Sequence, residues 1–185
     1  MSAKRLFVSI ELPEPTRQDL AQMDPHLRGV HWSDPRQMHL TLSFLGNVSA
    51  ETQEVLMEKL GEISWKPFFL PLVGLGTFPK KGWPKIIWIG VGTGHPHLFQ
   101  LHKRVQEAVL AAGLEPDLRG FHPHVTLARC RDVSPETMRP FLKAHAAADA
   151  GMIHVQSFCL RSSELTPAGS VYTTELVIDS PQASL

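Results

Sequence analysis

The stretch His39-Leu40-Thr41-Leu42-Ser43-Phe44-Leu45 constrains this chain more than any other, because most of it occurs twice. The second copy is His124-Val125-Thr126-Leu127-Ala128-Arg129. Both strings alternate polar and apolar residues in the manner of a half-buried strand. Side chains on a strand point alternately to opposite faces. Leu40, Leu42 and Phe44 should therefore share one face, and His39, Thr41 and Ser43 the other. In the second copy Val125 and Leu127 take the apolar face, and His124 and Thr126 the polar one. If the two strands lie side by side, two imidazoles and two hydroxyls converge on one place. A single His-x-Thr says little. Two copies matched at His, Thr and Leu say much more than two solvent-facing strands would.

The remaining chain is that of an ordinary soluble globule. Its 185 residues are 43% hydrophobic and 19% charged, ample for a hydrophobic core in one domain of good size or in two small, intimately packed lobes. Lys and Arg total 18, as do Asp and Glu. A neutral chain is poorly suited to gripping a long polyanion by counterion release, so any nucleic-acid contact should be local: an end, a nucleotide or a short single strand. Cys130 and Cys159 show no paired spacing, which points to reduced thiols and a cytoplasmic protein. The apolar run Leu6–Ile10 is too short for a signal core or a membrane span. No membrane partner is expected.

Taken in order, Leu6–Leu12 reads as a strand stopped by Pro13 and Pro15, followed by a helix over about Thr16–Met23. Gly29–Trp32 is a brief extended piece, and Ser33-Asp34-Pro35 turns into the first His-x-Thr strand, which Gly46-Asn47 should close. Ser49 caps a helix over about Ala50–Glu62. Residues 68–78 and 85–92 form a hairpin. Leu98, Leu101, Val105, Ala108, Val109 and Ala112 mark a helix ended by Gly113. The second His-x-Thr strand follows Pro123, and Ser134-Pro135-Glu136 opens a helix to about His145. Two final strands, about Met152–Leu160 and Val171–Ile178, are joined through Thr166-Pro167-Ala168-Gly169. Short hairpin links and amphipathic strands favour antiparallel pairing. The expected fold class is α+β: two pseudo-symmetric lobes of antiparallel sheet plus helices around a central cleft.

Two histidines beside two hydroxyls suit the opening of a cyclic phosphodiester. One group must take a proton from water, and another must give one to the leaving ribose oxygen. Imidazole titrates near neutral pH, so one neutral and one charged copy can share the work. Attacking and leaving oxygens lie on opposite sides of phosphorus, which calls for two groups facing each other. Thr41 and Thr126 are placed to donate to the non-bridging oxygens. Such a scheme needs no metal and no cofactor.

These strings resemble the 2H phosphoesterase superfamily, and within it the bacterial RNA 2′,3′-cyclic phosphodiesterases, also called 2′-5′ RNA ligases. The likeness extends from Arg5–Pro13 through His39–Gly46, Gly76–Pro79, Trp88–Val91, Phe121–Arg129 and Ser163–Leu165 to Gly169–Tyr172. It implies hydrolysis of RNA 2′,3′-cyclic phosphate to a 2′-phosphomonoester, with RNA ends or short oligonucleotides as partners and a monomeric enzyme. Some members of the family also join RNA through 2′-5′ links. The resemblance assigns His39 as proton donor and His124 as proton acceptor, with Thr41 and Thr126 binding phosphate. It also favours a phosphate contact for Arg129. The family usually has Arg or Lys where this chain has His122, which makes His122 a candidate substrate contact, and often Arg where Lys85 stands.

Strict alternation turns Phe44 and Arg129 away from the polar face. Core packing is then expected for Phe44, whereas Arg129 is costly to bury unpaired and needs a strand end or bulge to reach the cleft. His122 with His124, and His95 with His97, repeat a His-Pro-His pattern. A metal site there would need further ligands that the neighbouring sequence does not supply. The loop Lys80-Lys81-Gly82-Trp83 suits either a stacking contact with RNA or simple solvation. A nucleotide-binding module without turnover is the alternative outside the enzymes.

Overall fold

The computed structural model describes residues 3–117, 119–167 and 169–181. Strand β1 spans Lys4–Glu11 and leads into helix α1, Glu14–Ala21. The helix starts two residues earlier than the sequence suggests, because Pro15 sits in its first turn, where a missing N–H costs nothing. Strand β2, Val30–Trp32, and a 3-10 turn, Pro35–Gln37, deliver β3, His39–Val48. Helix α2, Ala50–Gly61, begins at Ser49, whose hydroxyl accepts from the Thr52 N–H. The hairpin is β4, Phe68–Phe78, with β5, Ile86–Gly90. Helix α3 is Pro96–Ala111, β6 is His124–Cys130 and α4 is Pro135–Ala144.

Two expectations fail here. Gly46-Asn47 does not close β3. The strand continues to Val48 across a bulge, with Gly46 at φ +70° absorbing it. The stretch 152–160 is not one strand but parts of two, β7, Asp149–Val155, and β8, Ser157–Thr166, which break at Gln156 and pair with opposite halves of the sheet. No Gly or Pro marks the break, and its local trace is the polar pair Gln156-Ser157, beyond which the apolar phase shifts from Ile153 and Val155 to Phe158 and Leu160. The last strand is β9, Gly169–Asp179. Of the expected link from β8 to β9, Ala168 lies outside the described residues.

All these strands belong to one sheet in the order β7-β4-β5-β6-β3-β1-β8-β9, with β2 added on β6, and every strand pair is antiparallel. The two motif strands β3 and β6 are central neighbours, each followed outward by three more strands. That is the expected pseudo-symmetry, realised as two halves of one sheet. The seam between them is narrow. Among the described residues only Leu40 and Val125 pair across it.

Leu40, Leu42, Val125 and Leu127 are buried in the main core, with Leu56 and Leu60 of α2 and Leu98, Leu101, Val105 and Val109 of α3. A smaller cluster, Ile87, Ala128, Val133, Met138 and Phe141, gathers beneath α4. Among the described residues no helix is long and apolar enough to cross a membrane.

Both motif strands carry a bulge at the same place. Val8 opposes Ser43 while Ser9 opposes Thr41, which leaves Leu42 as the extra residue in β3. Ile87 opposes Ala128 while Trp88 opposes Thr126, which leaves Leu127 as the extra residue in β6. An extra residue reverses the alternation beyond it. Ser43 and Ala128 consequently turn inward, and Phe44 and Arg129 turn outward. Core packing for Phe44 is therefore wrong: its side chain is 56% exposed. Ser43 is buried and accepts a hydrogen bond from Gln106 Nε2 at 3.2 Å, so it does not share the face of His39 and Thr41.

Next to β6, Trp88 lies against His122 at 4.9 Å and His124 at 6.2 Å between ring centroids. It reaches them by crossing Gly76, its partner on β4, where an added Cβ would collide with the indole. Gly76→Ala should therefore destabilise the fold by about 1–3 kcal/mol through overpacking and shift Trp88 from both histidines. Chemical unfolding measures the first effect. An unchanged midpoint would show that the indole moves aside freely.

Candidate active site

Extending the Leu40–Val125 pair by one residue each way sets His39 opposite Thr126 and Thr41 opposite His124. The four side chains of the two motifs thus fall on one face in a diagonal arrangement, each histidine facing the other strand's threonine. The histidines sense each other electrostatically, since His124 contributes to lowering the pKa of His39.

Each imidazole is fixed in the same way. Nδ1 of His39 donates to the carbonyl of Gln37 at 2.7 Å, and Nδ1 of His124 donates to the carbonyl of His122 at 2.7 Å. With Nδ1 occupied as a donor, Nε2 is the nitrogen left to exchange a proton. Gln37 is itself held by its side-chain Nε2, which donates to the Ser170 carbonyl at 2.6 Å. Aromatic rings complete each setting. Phe7 stacks on His39 at 5.0 Å and Tyr172 meets it edge-on at 5.4 Å, while Phe78 meets His124 edge-on at 5.1 Å.

Burial sets the electrostatics. Desolvation lowers His39 to about 4, against the opposing pull of its backbone hydrogen bond, and the charge of Arg161, with that of His124 whenever it is protonated, lowers it further. His124 is also lowered, again mainly by desolvation. Both rings are therefore neutral at pH 7 without a ligand, and an anion between them would restore charge to one.

The face opens into two cavities that share Phe44 and Arg119. One, of about 400 Å3, is lined by Thr41, Phe44, Phe78, Arg119, Phe121, His122 and His124 among others. The other, of about 540 Å3, is lined by Arg5, Phe7, His39, Phe44, Arg119, Arg129 and Tyr172 among others. Each is large enough for part of a nucleotide. His39, Thr41, His122, His124 and Arg129 all come to this cleft, while Thr126 is half-buried beside it, facing His39 by register. Arg129 makes no ion pair among the described residues, and the bulge at Leu127 is what brings it to the wall.

Three participants escape sequence reasoning. Arg119 lines both cavities and is held by Asp117, Nη2 to Oδ2 at 2.6 Å. Arg161, with a side chain only 9% exposed, pairs with Glu11 at 2.7 Å and lies over the rings of Tyr172 and Phe7 at 5.3 and 6.0 Å. Its available signal is a cation directly after the apolar run Phe158–Leu160, on a strand neighbouring the one that ends in Glu11. Phe44 is the third, visible only once the bulge is known. The loop Lys80–Trp83 is exposed and lines neither cavity. Among the described residues, no group of three or more His, Cys, Asp or Glu side chains is arranged to hold a metal ion.

An antiparallel α+β sheet with paired His-x-Thr strands at its centre defines a class of fold and site, and the comparisons agree with it. Residues 12–165 match the family model described as the 2′-5′ RNA ligase superfamily. The chain belongs to that superfamily. An RNA 2′,3′-cyclic phosphodiesterase of Archaeoglobus fulgidus is 32% identical over 91% of this chain and 96% of its own. One of Escherichia coli K12 is 28% identical over 89% and 93%. The crystal structure of E. coli LigT in apo form superposes with a TM-score of 0.81 at 25% identity, covering 97% of this chain and 99% of that one. The same protein complexed with 3′-AMP gives 0.80 at 27% identity, with the same coverage of both chains.

Burial of His39 has a measurable sign. Its folded pKa near 4 lies below the ordinary histidine value of 6.5, so the unfolded chain binds the extra proton between those values. Its contribution to stability is present above about pH 6.5 and is lost as pH falls through the folded pKa. Histidine NMR of the free protein should find His39 neutral at pH 6 with the proton on Nδ1, and added inorganic phosphate should raise its midpoint. A free-protein midpoint at the ordinary value would overturn this account.

Proposed function

We propose that this protein hydrolyses RNA 2′,3′-cyclic phosphate ends to 2′-phosphomonoesters, using His39 and His124 as an acid–base pair. The observation that carries the reading is the matched presentation of two imidazoles, each with Nδ1 tied to a carbonyl two residues earlier and Nε2 left free. The names of the relatives and the 3′-AMP complex of LigT support a ribonucleotide substrate.

In this scheme the cyclic phosphate lies between the histidines. Water attacks phosphorus opposite the ribose 3′-oxygen, and His124 Nε2 takes its proton. The bond from phosphorus to the 3′-oxygen breaks, and His39 Nε2–H protonates that oxygen. A 2′-phosphomonoester leaves, with His124 charged and His39 neutral, and proton exchange with solvent resets the pair. His39 must be charged at the start although burial opposes it; the substrate's own negative charge offsets that cost, and burial then makes the imidazolium a stronger acid. Thr41 and Thr126 hydroxyls and the Arg129 guanidinium donate to the non-bridging oxygens. His122, packed between Trp88 and Phe78, borders the site and contacts substrate from its wall. Joining RNA through a 2′-5′ link would use the same residues in reverse, a reading favoured by the superfamily's description. We take the protein to act as a monomer and a single bilobal domain, since one chain supplies both histidines. Its two free cysteines are consistent with the cytoplasm.

The assay is turnover of a short RNA ending in a cyclic phosphate. His39→Ala or His124→Ala should lower turnover by about 10²–10⁴-fold with the fold intact, and near wild-type rates in either would sink the scheme. With an activated aryl phosphodiester the leaving oxygen needs little protonation, so His39→Ala should be substantially rescued and His124→Ala should stay slow. Rescue of His124→Ala alone would exchange the two roles.

The bulges generate a separate expectation. Phe44 and Arg129 hold equivalent positions and both face the cleft, so alanine at either should reduce kcat/KM while costing within about 0.5 kcal/mol of stability, as at exposed sites. Marked destabilisation by Phe44→Ala, measured by chemical unfolding, would return that ring to the core.

A further inference from the structure

A cavity of about 510 Å3 lies on the other side of His122 from the cleft. Phe121 and His122 line both chambers, so these two residues form a wall common to the two. Trp88, Phe99 and Phe121 supply flat walls, and the segment Gly90–Gly94 lines it with little side-chain bulk. At Gly90 an added Cβ would come within 3.2 Å of both the indole of Trp88 and the carbonyl of Val73. Lack of side chains thus keeps the chamber open.

Phe99 stands in the first turns of α3 with 47% of its surface exposed. It meets Phe121 edge-on at 5.4 Å, and Phe121 is fixed by stacking on His102 at 3.9 Å with the rings 4° from parallel. These rings are preset as a platform before any ligand arrives. On another wall the indole N–H of Trp88 is enclosed and has no hydrogen-bond partner among the described residues. Among the described residues no Lys, Arg, Asp or Glu side chain lines the chamber.

From these features we infer that the chamber receives the base of the nucleotide immediately 5′ of the cyclic-phosphate end. The inference rests on the phosphodiesterase reading above and deepens it: the substrate is an oligonucleotide, of which at least two nucleotides are bound. An RNA chain that ends between His39 and His124 must continue along the surface next to the cleft, and this chamber adjoins it across Phe121 and His122. Its aromatic walls suit a flat heterocycle, its lack of charge does not suit a phosphate, and stacking accepts any base. Covering Phe99 removes apolar surface from water on binding. Hydrolysis of the end itself does not require this contact, so the chamber governs which substrate is preferred.

The test compares kcat/KM on two substrates, a dinucleotide and a mononucleotide, each ending in a 2′,3′-cyclic phosphate. The wild type should favour the dinucleotide by about fivefold or more, the effect expected of stacking one base. Phe99→Ala should remove that preference through KM and leave the mononucleotide unchanged, and Phe99→Trp should keep it. Equal wild-type rates on the two substrates overturn the inference, as does a preference that survives Phe99→Ala, or an equal loss on both. A wild type inert on both substrates would instead remove the phosphodiesterase reading on which the subsite rests.

Discussion

The register of one pair, Leu40 against Val125, governs the site. Because these two apolar residues face each other across the seam of the sheet, their neighbours His39, Thr41, His124 and Thr126 must share the opposite face. A slip of one residue in either strand would send its histidine into the core. The apolar partners of the motifs are thus as necessary to the chemistry as the polar ones. Leu40, Leu42, Val125 and Leu127 are at most 2% exposed, and their burial against α2 and α3 fixes that register. Hydrogen bonding across the seam contributes little, as the strands pair there at a single position.

Much of this was legible in the sequence because it depends on local alternation and on one repeated string. The antiparallel α+β character, the helix caps at Ser49 and Ser134 and the pairing of motif strands all follow from short-range pattern. What alternation could not reveal were features set by a neighbouring strand. The extra residues Leu42 and Leu127 are extra only relative to β1 and β5, so alternation alone puts Ser43 and Phe44 on the wrong faces. The break at Gln156 leaves a change of alternation phase in the sequence, but its cause lies in the neighbours: one half of the stretch is claimed by β4 and the other by β1. Arg119 and Arg161 reach the site from a loop and a distant strand, and no spacing connects them to a histidine.

Behind His39 the protein holds an unusual charge. Arg161 and Glu11 form an ion pair with little solvent around the arginine, and the Nε of Arg161 is enclosed with no partner among the described residues. Such a pair is weak evidence for stability, since desolvation consumes much of its Coulomb energy. Its position suggests another effect. The guanidinium lies over Phe7 and Tyr172, the rings that flank His39, and opposes protonation of that imidazole. The two histidines therefore differ in environment although their motifs match.

That difference bears on the repeated bulge. β3 and β6 follow the same sequence of buried and exposed positions from their histidines onward, so the backbone treats both sides of the cleft alike. A symmetric frame has no handedness with respect to which ester bond opens. On the proposed reading, choice between the two ribose oxygens must come from unlike side chains at like positions. Phe44 stands where the other strand has Arg129, one offering a face to a ring and the other a charge to an oxygen. Regiochemistry would then be a property of decoration, free to change without redesign of the sheet.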